Sequence, residues 1–249
     1  MILEMILSPS QSKRLIGRGV AAWEPLRERL EKGTVVIAKG STNRYVAEEI
    51  LGVSLADVPF AWGLVAPAGV KAGTRKGGDI AEIVIVDGKR KDVDFEEAVD
   101  SLGAGDILIK GGNALHYPSR TVGVLSTSPT GGTIGRAYPK VVGSRARLLV
   151  PIGLEKCVAT PIEETCGIVN SPDVHGHGLI PTMYPIRGDV FTEIEAIRTL
   201  FGAEAIHVAS GGVAGCEGSV RLLARGDVGS IQGLRDLYKQ LGSEKAYLG

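Results

Sequence analysis

The nine residues Val35-Val-Ile-Ala-Lys-Gly-Ser-Thr-Asn43 decide how this chain is read. Thr34 to Ala38 is short, β-branched and apolar on both faces, the pattern of a strand buried inside a parallel sheet. Lys39 to Asn43 then turns, and Arg44 to Leu51 has the composition of a helix closed by Gly52. A strand that passes through Gly-Ser-Thr into a helix gathers free backbone N–H groups, a positive dipole end and two hydroxyls around one point, which suits a phosphate. The order Gly-Lys-Ser/Thr of a P-loop is absent and the loop is shorter. The alternative is an ordinary strand-to-helix turn in which Ser41 or Thr42 caps the helix.

Working outward, Ser8-Pro9-Ser10-Gln11 opens a helix to about Val20, with Ser8 as its cap, and a second helix spans about Trp23 to Lys32. Downstream, Ala81 to Val86, Asp106 to Ile109, Thr121 to Leu125 and Arg147 to Val150 read as strands, with Phe95 to Leu102 as a short helix. Lys89-Arg-Lys91 reads as a solvated turn before that helix. Alternating strands and helices predict an α/β fold with a Rossmann-like, mostly parallel sheet over residues 1–180. From about residue 181 the order becomes strand, helix, strand, strand, helix. This βαββα pattern predicts a smaller α+β, ferredoxin-like module over 181–249, serving as lid or regulator.

Composition narrows the function. Twenty-eight basic residues balance 28 acidic ones, and the densest basic cluster is followed at once by acids, so nucleic acid is not the expected partner. No apolar run approaches the roughly 20 residues that cross a bilayer, and the first residues lack a basic leader, so the expectation is a cytoplasmic protein without membrane contact. Three cysteines without CxxC spacing argue for reduced thiols rather than a disulfide framework or structural zinc. A homo-oligomer stays open, and no cofactor is assigned.

Two further turns repeat the first. In Asp106-Ile-Leu-Ile-Lys-Gly-Gly-Asn113, Lys110 supplies charge, Gly111 and Gly112 allow close backbone approach, and Asn113 donates and accepts. In Thr130-Gly-Gly-Thr133 the pattern returns after another strand. If all three turns stand at strand carboxyl ends, Lys39, Gly40, Ser41, Thr42, Asn43, Lys110, Gly111, Gly112, Asn113, Thr130, Gly131, Gly132 and Thr133 converge on one rim, where open α/β sheets bind ligands.

Val36-Ile-Ala-Lys-Gly-Ser-Thr-Asn-Arg-Tyr-Val-Ala-Glu-Glu-Ile-Leu-Gly52 resembles the substrate-phosphate loop and following helix of type A ribose-5-phosphate isomerase. Ile107-Leu-Ile-Lys-Gly-Gly-Asn-Ala-Leu115 resembles that family's Lys-Gly-Gly-Gly-Ala-Ala-Leu segment. The resemblance implies the superfamily shared with glucosamine-6-phosphate deaminase and the coenzyme A transferases: a Rossmann-like sheet, a phosphate or acyl-CoA ligand and, in the isomerase, a βαββαβ lid. The chain departs from the isomerase in its acids. Only Asp87-Gly88 stands where the family has Asp-Gly-Ala-Asp-Glu, and His116-Tyr-Pro-Ser-Arg120 replaces the segment with the catalytic glutamate. Isomerisation of an aldose to a ketose needs a base beside the substrate carbon, so ribose-5-phosphate isomerase activity is not expected.

Two carboxylates are candidates for the missing role. Asp87 ends a strand beside a turn, and Glu155 comes after the strand Arg147 to Val150, where a transferase would place its nucleophile; the alternative for Glu155 is a surface acid in a helical first turn. Asp173-Val-His-Gly-His-Gly178 offers His175 and His177, but without a third ligand the expectation is a solvent-facing loop and no metal. Ser210 to Gly218 is a glycine-dense connection that either reaches the crevice with Glu217 or is a plain hairpin loop. The expected function is binding of a phosphorylated or carboxylated small metabolite, with isomerase- or transferase-like turnover, against the rival of a non-catalytic sensor.

Overall fold

A computed structural model describes residues 1–58, 60–61, 81–176 and 180–245. Its centre is a mixed six-stranded sheet, in spatial order Asp189–Phe191 (β10), Arg147–Pro151 (β8), Ile107–Ile109 (β5), Thr34–Ile37 (β2), Ile83–Val86 (β3) and Lys89–Lys91 (β4). β10, β8, β5 and β2 run parallel, whereas β3 and β4 are antiparallel to their neighbours. Val35, Val36, Ile37, Ile107, Leu108 and Ile109 are fully enclosed, as parallel strands covered on both faces require. Two three-stranded antiparallel sheets flank it. One is Ile2–Leu7 (β1), Val220–Arg225 (β12) and Glu204–Ser210 (β11); the other is Ala114–His116 (β6), Thr121–Ser126 (β7) and Thr182–Arg187 (β9).

Three sequence expectations are corrected by this topology. Asp87 and Gly88 both have positive φ, 47° and 75°, the two-residue turn that an Asp-Gly pair favours between antiparallel strands. Lys89–Lys91 therefore pairs with β3 as an exposed edge strand instead of forming a solvated turn. Thr121–Ser126 pairs antiparallel with β9 and lies outside the central sheet. The strand-helix-strand-strand-helix order after residue 181 exists along the chain, but β9, β10 and the β11–β12 pair belong to three different sheets. The amino-terminal β1 completes the sheet of β11 and β12.

Helix Pro9–Ala22 (α1) starts with the expected capping box of Ser8 and Gln11. It packs against Ser41–Leu51 (α3) and Glu193–Phe201 (α7). Two glycines let it approach both. A Cβ on Gly17 would stand 2.9 Å from the Tyr45 backbone, and one on Gly19 would stand 2.6 Å from the Ala196 Cα. α3 ends at Gly52 and α7 at Gly202, each with a left-handed φ of 66°. α7 begins with a second capping box, Thr192 with Glu195.

Candidate functional site

Three backbone hydrogen bonds carry the parallel ladder to its carboxyl edge: Ala38 N–H to Ile109 O, Lys110 N–H to Leu149 O and Ile152 N–H to Phe191 O, each 3.0 Å. The segments leaving these strands are thereby brought to one rim, where Lys39 to Asn43, Lys110 to Gly112, Gly153 to Lys156 and Thr192-Glu193 stand side by side. The first two expected turns are neighbours. The Asn43 amide donates to Ala38 O at 2.8 Å and to Ile109 O at 3.2 Å, tying β2 to β5.

Several of the expected ligand groups are occupied by the fold itself. Gly40 donates its N–H to Phe60 O, Thr42 and Asn43 are buried, and Ser41 is half-buried at the start of α3. Gly112 has no room for a side chain because Val122 abuts it, so packing explains that glycine. Asn113 is exposed; its N–H donates to Gly123 O, and its Oδ1 accepts from Leu125 N–H. The third turn leaves a different sheet from the other two. Thr130, Gly131, Gly132 and Thr133 lead from the β7 sheet into Gly132–Ser144 (α5), and Gly131 lies against the Tyr184 ring. The preceding Ser126 to Pro129 lines its own cleft of about 470 Å³ with Thr182 and Tyr184. The strand before this turn is antiparallel and belongs to another sheet, and its end meets the second turn where Leu125 N–H donates to Asn113 Oδ1.

Asp87 is a correction. Because β3 runs antiparallel to β2, its carboxyl end lies beside Thr34 at the opposite edge of the sheet. There Asp87 accepts from Gly33 N–H at 2.8 Å, a structural clasp. The same reversal brings Glu82, which precedes β3, next to the Ile37 end of β2 and so to the rim. Glu155 does stand at the rim, in the single turn Leu154–Lys156 beyond β8. Its carboxylate folds back over Gly153, where a Cβ would collide with it.

Glu193, the first residue of α7, was not among the sequence candidates. It is fully buried, and its Oε2 accepts from Leu154 N–H at 3.0 Å. Oε1 of Glu193 and Oε2 of Glu155 are both buried and have no hydrogen-bond partner among the described residues. Burial, then the charge of Glu155, raises the Glu193 pKa well above the ordinary carboxylate range.

Lys13 faces Glu155 of this pair, and Lys156 faces both Lys13 and Lys110. Lys156 Nζ donates to Gly112 O at 3.1 Å and Lys110 Nζ to Gly111 O at 3.3 Å, so the two ammonium groups hang on successive carbonyls of one loop. Burial, then Lys156, lowers Lys110 to about 8. Lys13, reaching in from α1, is also lowered to about 8, chiefly by burial and then by Lys156, with Glu155 opposing. Cys157 is pushed up to about 11 by burial and by Glu193 and Glu155, which leaves an unreactive thiol.

Sequence reading missed Lys13, Glu82, Lys156 and Glu193. Ser10, Ser12 and Lys13 of α1 are polar yet buried, which the fold shows and the sequence does not signal. Nor did a signal exist for Glu193, whose position beside a capping box already accounts for an acid. Among the described residues no group of three or more His, Cys, Asp or Glu side chains is arranged to hold a metal; His175 is exposed and His177 lies outside those residues. The loop after β11 is exposed apart from Cys216 and Ser219, and Gly218 touches Pro9 of α1. No described helix is long and apolar enough to cross a membrane. No family model, curated protein or solved structure matches the chain.

Proposed function

We propose that this chain binds a phosphorylated or carboxylated small metabolite, of sugar-phosphate or acyl-CoA type, at the carboxyl edge of a Rossmann-like sheet. It acts on that metabolite as an isomerase- or transferase-like enzyme without the acids of ribose-5-phosphate isomerase. The observation that carries this reading is the trio Lys13, Lys110 and Lys156. Two of them are held below their ordinary pKa by burial and mutual repulsion. A bound anion relieves that repulsion, and the same charges draw an anion in.

The acid pair favours turnover over sensing. A protein that only registered an anion would gain nothing from the enclosed Glu193 and the half-buried Glu155 beside its cations, because carboxylate charge there repels the ligand. As a proton-transfer couple they are useful: Glu155 takes a proton or attacks, and Glu193, its pKa raised by burial, is the proton donor beside it. Gly153 keeps the Glu155 carboxylate folded back at the rim.

Thermal unfolding against sugar phosphates, coenzyme A esters and inorganic phosphate tests the reading. A ligand at 100 times its Kd stabilises by about 2.7 kcal/mol, and the effect should vanish in a Lys110→Met, Lys156→Met double variant. Because Lys110 and Lys13 lose their protons near pH 8, affinity should decline above that pH, with proton uptake on binding. No stabilisation by any anion, or equal stabilisation of the double variant, counts against the site.

A further inference from the structure

Lys110 and Lys156 are an unusual pair. Among the described residues, neither ammonium has a carboxylate within ion-pair distance; each rests instead on a backbone carbonyl of the same Gly-Gly loop. Among the described residues, the charged groups facing Lys110 are Lys156, from the turn after β8, and Glu82, which precedes β3. A half-buried lysine beside a second cation is the arrangement that turns an ammonium into a nucleophilic amine.

We propose that Lys110 is a catalytic amine that forms an imine with the carbonyl carbon of an anionic aldehyde or ketone held at this rim. This rests on the anion-binding reading above and narrows its substrate to carbonyl compounds. The neutral Nζ attacks the carbonyl carbon, forming the N–C bond while the C=O π pair moves to oxygen. One amine proton passes to that oxygen, giving a carbinolamine. The second accompanies the oxygen as it leaves as water, and the nitrogen lone pair closes the C=N bond. One water is released and no oxidant or reductant takes part. Protonation of the imine nitrogen then gives an iminium, for which Glu82 is the facing counter-charge. Lys156 holds the ligand's anionic group, and its charge disfavours the protonated form of Lys110.

Electrostatics make the amine available near neutral pH. With its pKa lowered to about 8, Lys110 is about one-quarter neutral at pH 7.5, against about one part in a thousand for an ordinary lysine.

The test treats the intact protein with D-glyceraldehyde 3-phosphate, or with unphosphorylated D-glyceraldehyde, and reduces with borohydride before peptide mapping by mass spectrometry. The expected result is about one adduct per chain, on Lys110, formed at least roughly tenfold faster with the phosphorylated aldehyde and blocked by inorganic phosphate. Its rate should rise with a midpoint near pH 8. Lys156→Met should move that midpoint upward and slow labelling roughly tenfold at pH 7.5, and Lys110→Arg should remove the adduct. Labelling of Lys110 no faster than that of the exposed Lys32 and Lys89, or a midpoint at the ordinary lysine value, overturns the proposal. Stabilisation by phosphate without any trapped adduct overturns the imine and leaves anion binding standing. An adduct on Lys110 that phosphate fails to block supports the amine and overturns anion binding.

Discussion

Glu193 is fully enclosed, and one of its carboxyl oxygens accepts from Leu154 N–H while the other has no partner among the described residues. Its raised pKa has a definite consequence for stability. Between the unfolded carboxyl value near 4.5 and the higher folded value, the native chain keeps a proton that the unfolded chain has lost. Stability therefore falls as pH rises through that window. Lys13 and Lys110 act in the opposite sense. From about 8 to 10.5 the unfolded chain retains protons that the native lysines have released, so stability rises with pH there. The two limbs together give a dip around neutral to mildly alkaline pH. Glu193→Gln keeps an acceptor for Leu154 and removes the titration. It should abolish the falling limb and raise stability near pH 7.5 by about 1–3 kcal/mol, while the rising limb stays. Urea unfolding at half-unit pH steps reads this out; an unchanged falling limb would place the titration elsewhere.

At the scale of elements, legibility in the sequence depended on whether the information was local. β2 and α3 were legible because β-branched residues, a glycine turn and Gly52 all lie within about 20 residues of one another. The start of α1 was legible from Ser8 and Gln11 for the same reason. The direction of β3 was not, since Ile83–Val86 is equally apolar in a parallel or an antiparallel setting and only its neighbour decides. That one unknown exchanged Asp87 for Glu82 at the site. The Asp-Gly pair did announce a hairpin, and taking it as one would have moved Lys89–Lys91 from turn to strand. Glycines inside α1 carry similarly non-local meaning. Gly19 looks unfavourable in a helix by about 1 kcal/mol relative to alanine, yet the space beside it is filled by Ala196 and Phe191. Gly19→Ala should therefore destabilise, by about 1–3 kcal/mol for an overpacked contact whose nearest atom is backbone, in spite of the gain in helix propensity. It should also weaken anion binding, because α1 carries Lys13 to the rim. A more stable variant with unchanged binding would mean that α1 and α7 separate freely.

Over the whole molecule, the rim is built from distant parts of the chain: Lys13 comes from α1, Lys110 and Glu155 from the middle, and Glu193 from after residue 180. Strand pairing is shared in the same way. The boundary at 180 is crossed by β1 with β12, β7 with β9 and β8 with β10. Met5 and Leu7 of β1 are buried against the carboxyl-terminal sheet, and burying two such side chains contributes about 3–6 kcal/mol, comparable with the whole net stability of many domains. Residues 1–180 and 181–249 expressed separately should each lack a cooperative thermal transition. The first would leave β7 and β8 with unpaired edges, and the second would retain only the β11–β12 pair as a sheet. Mixing the two should restore both a cooperative transition and anion binding, since Lys13 and Glu193 are reunited only in the complex. Cooperative unfolding of 181–249 alone would instead make it an autonomous lid, and the buried Glu193 would then owe its environment to docking rather than to folding.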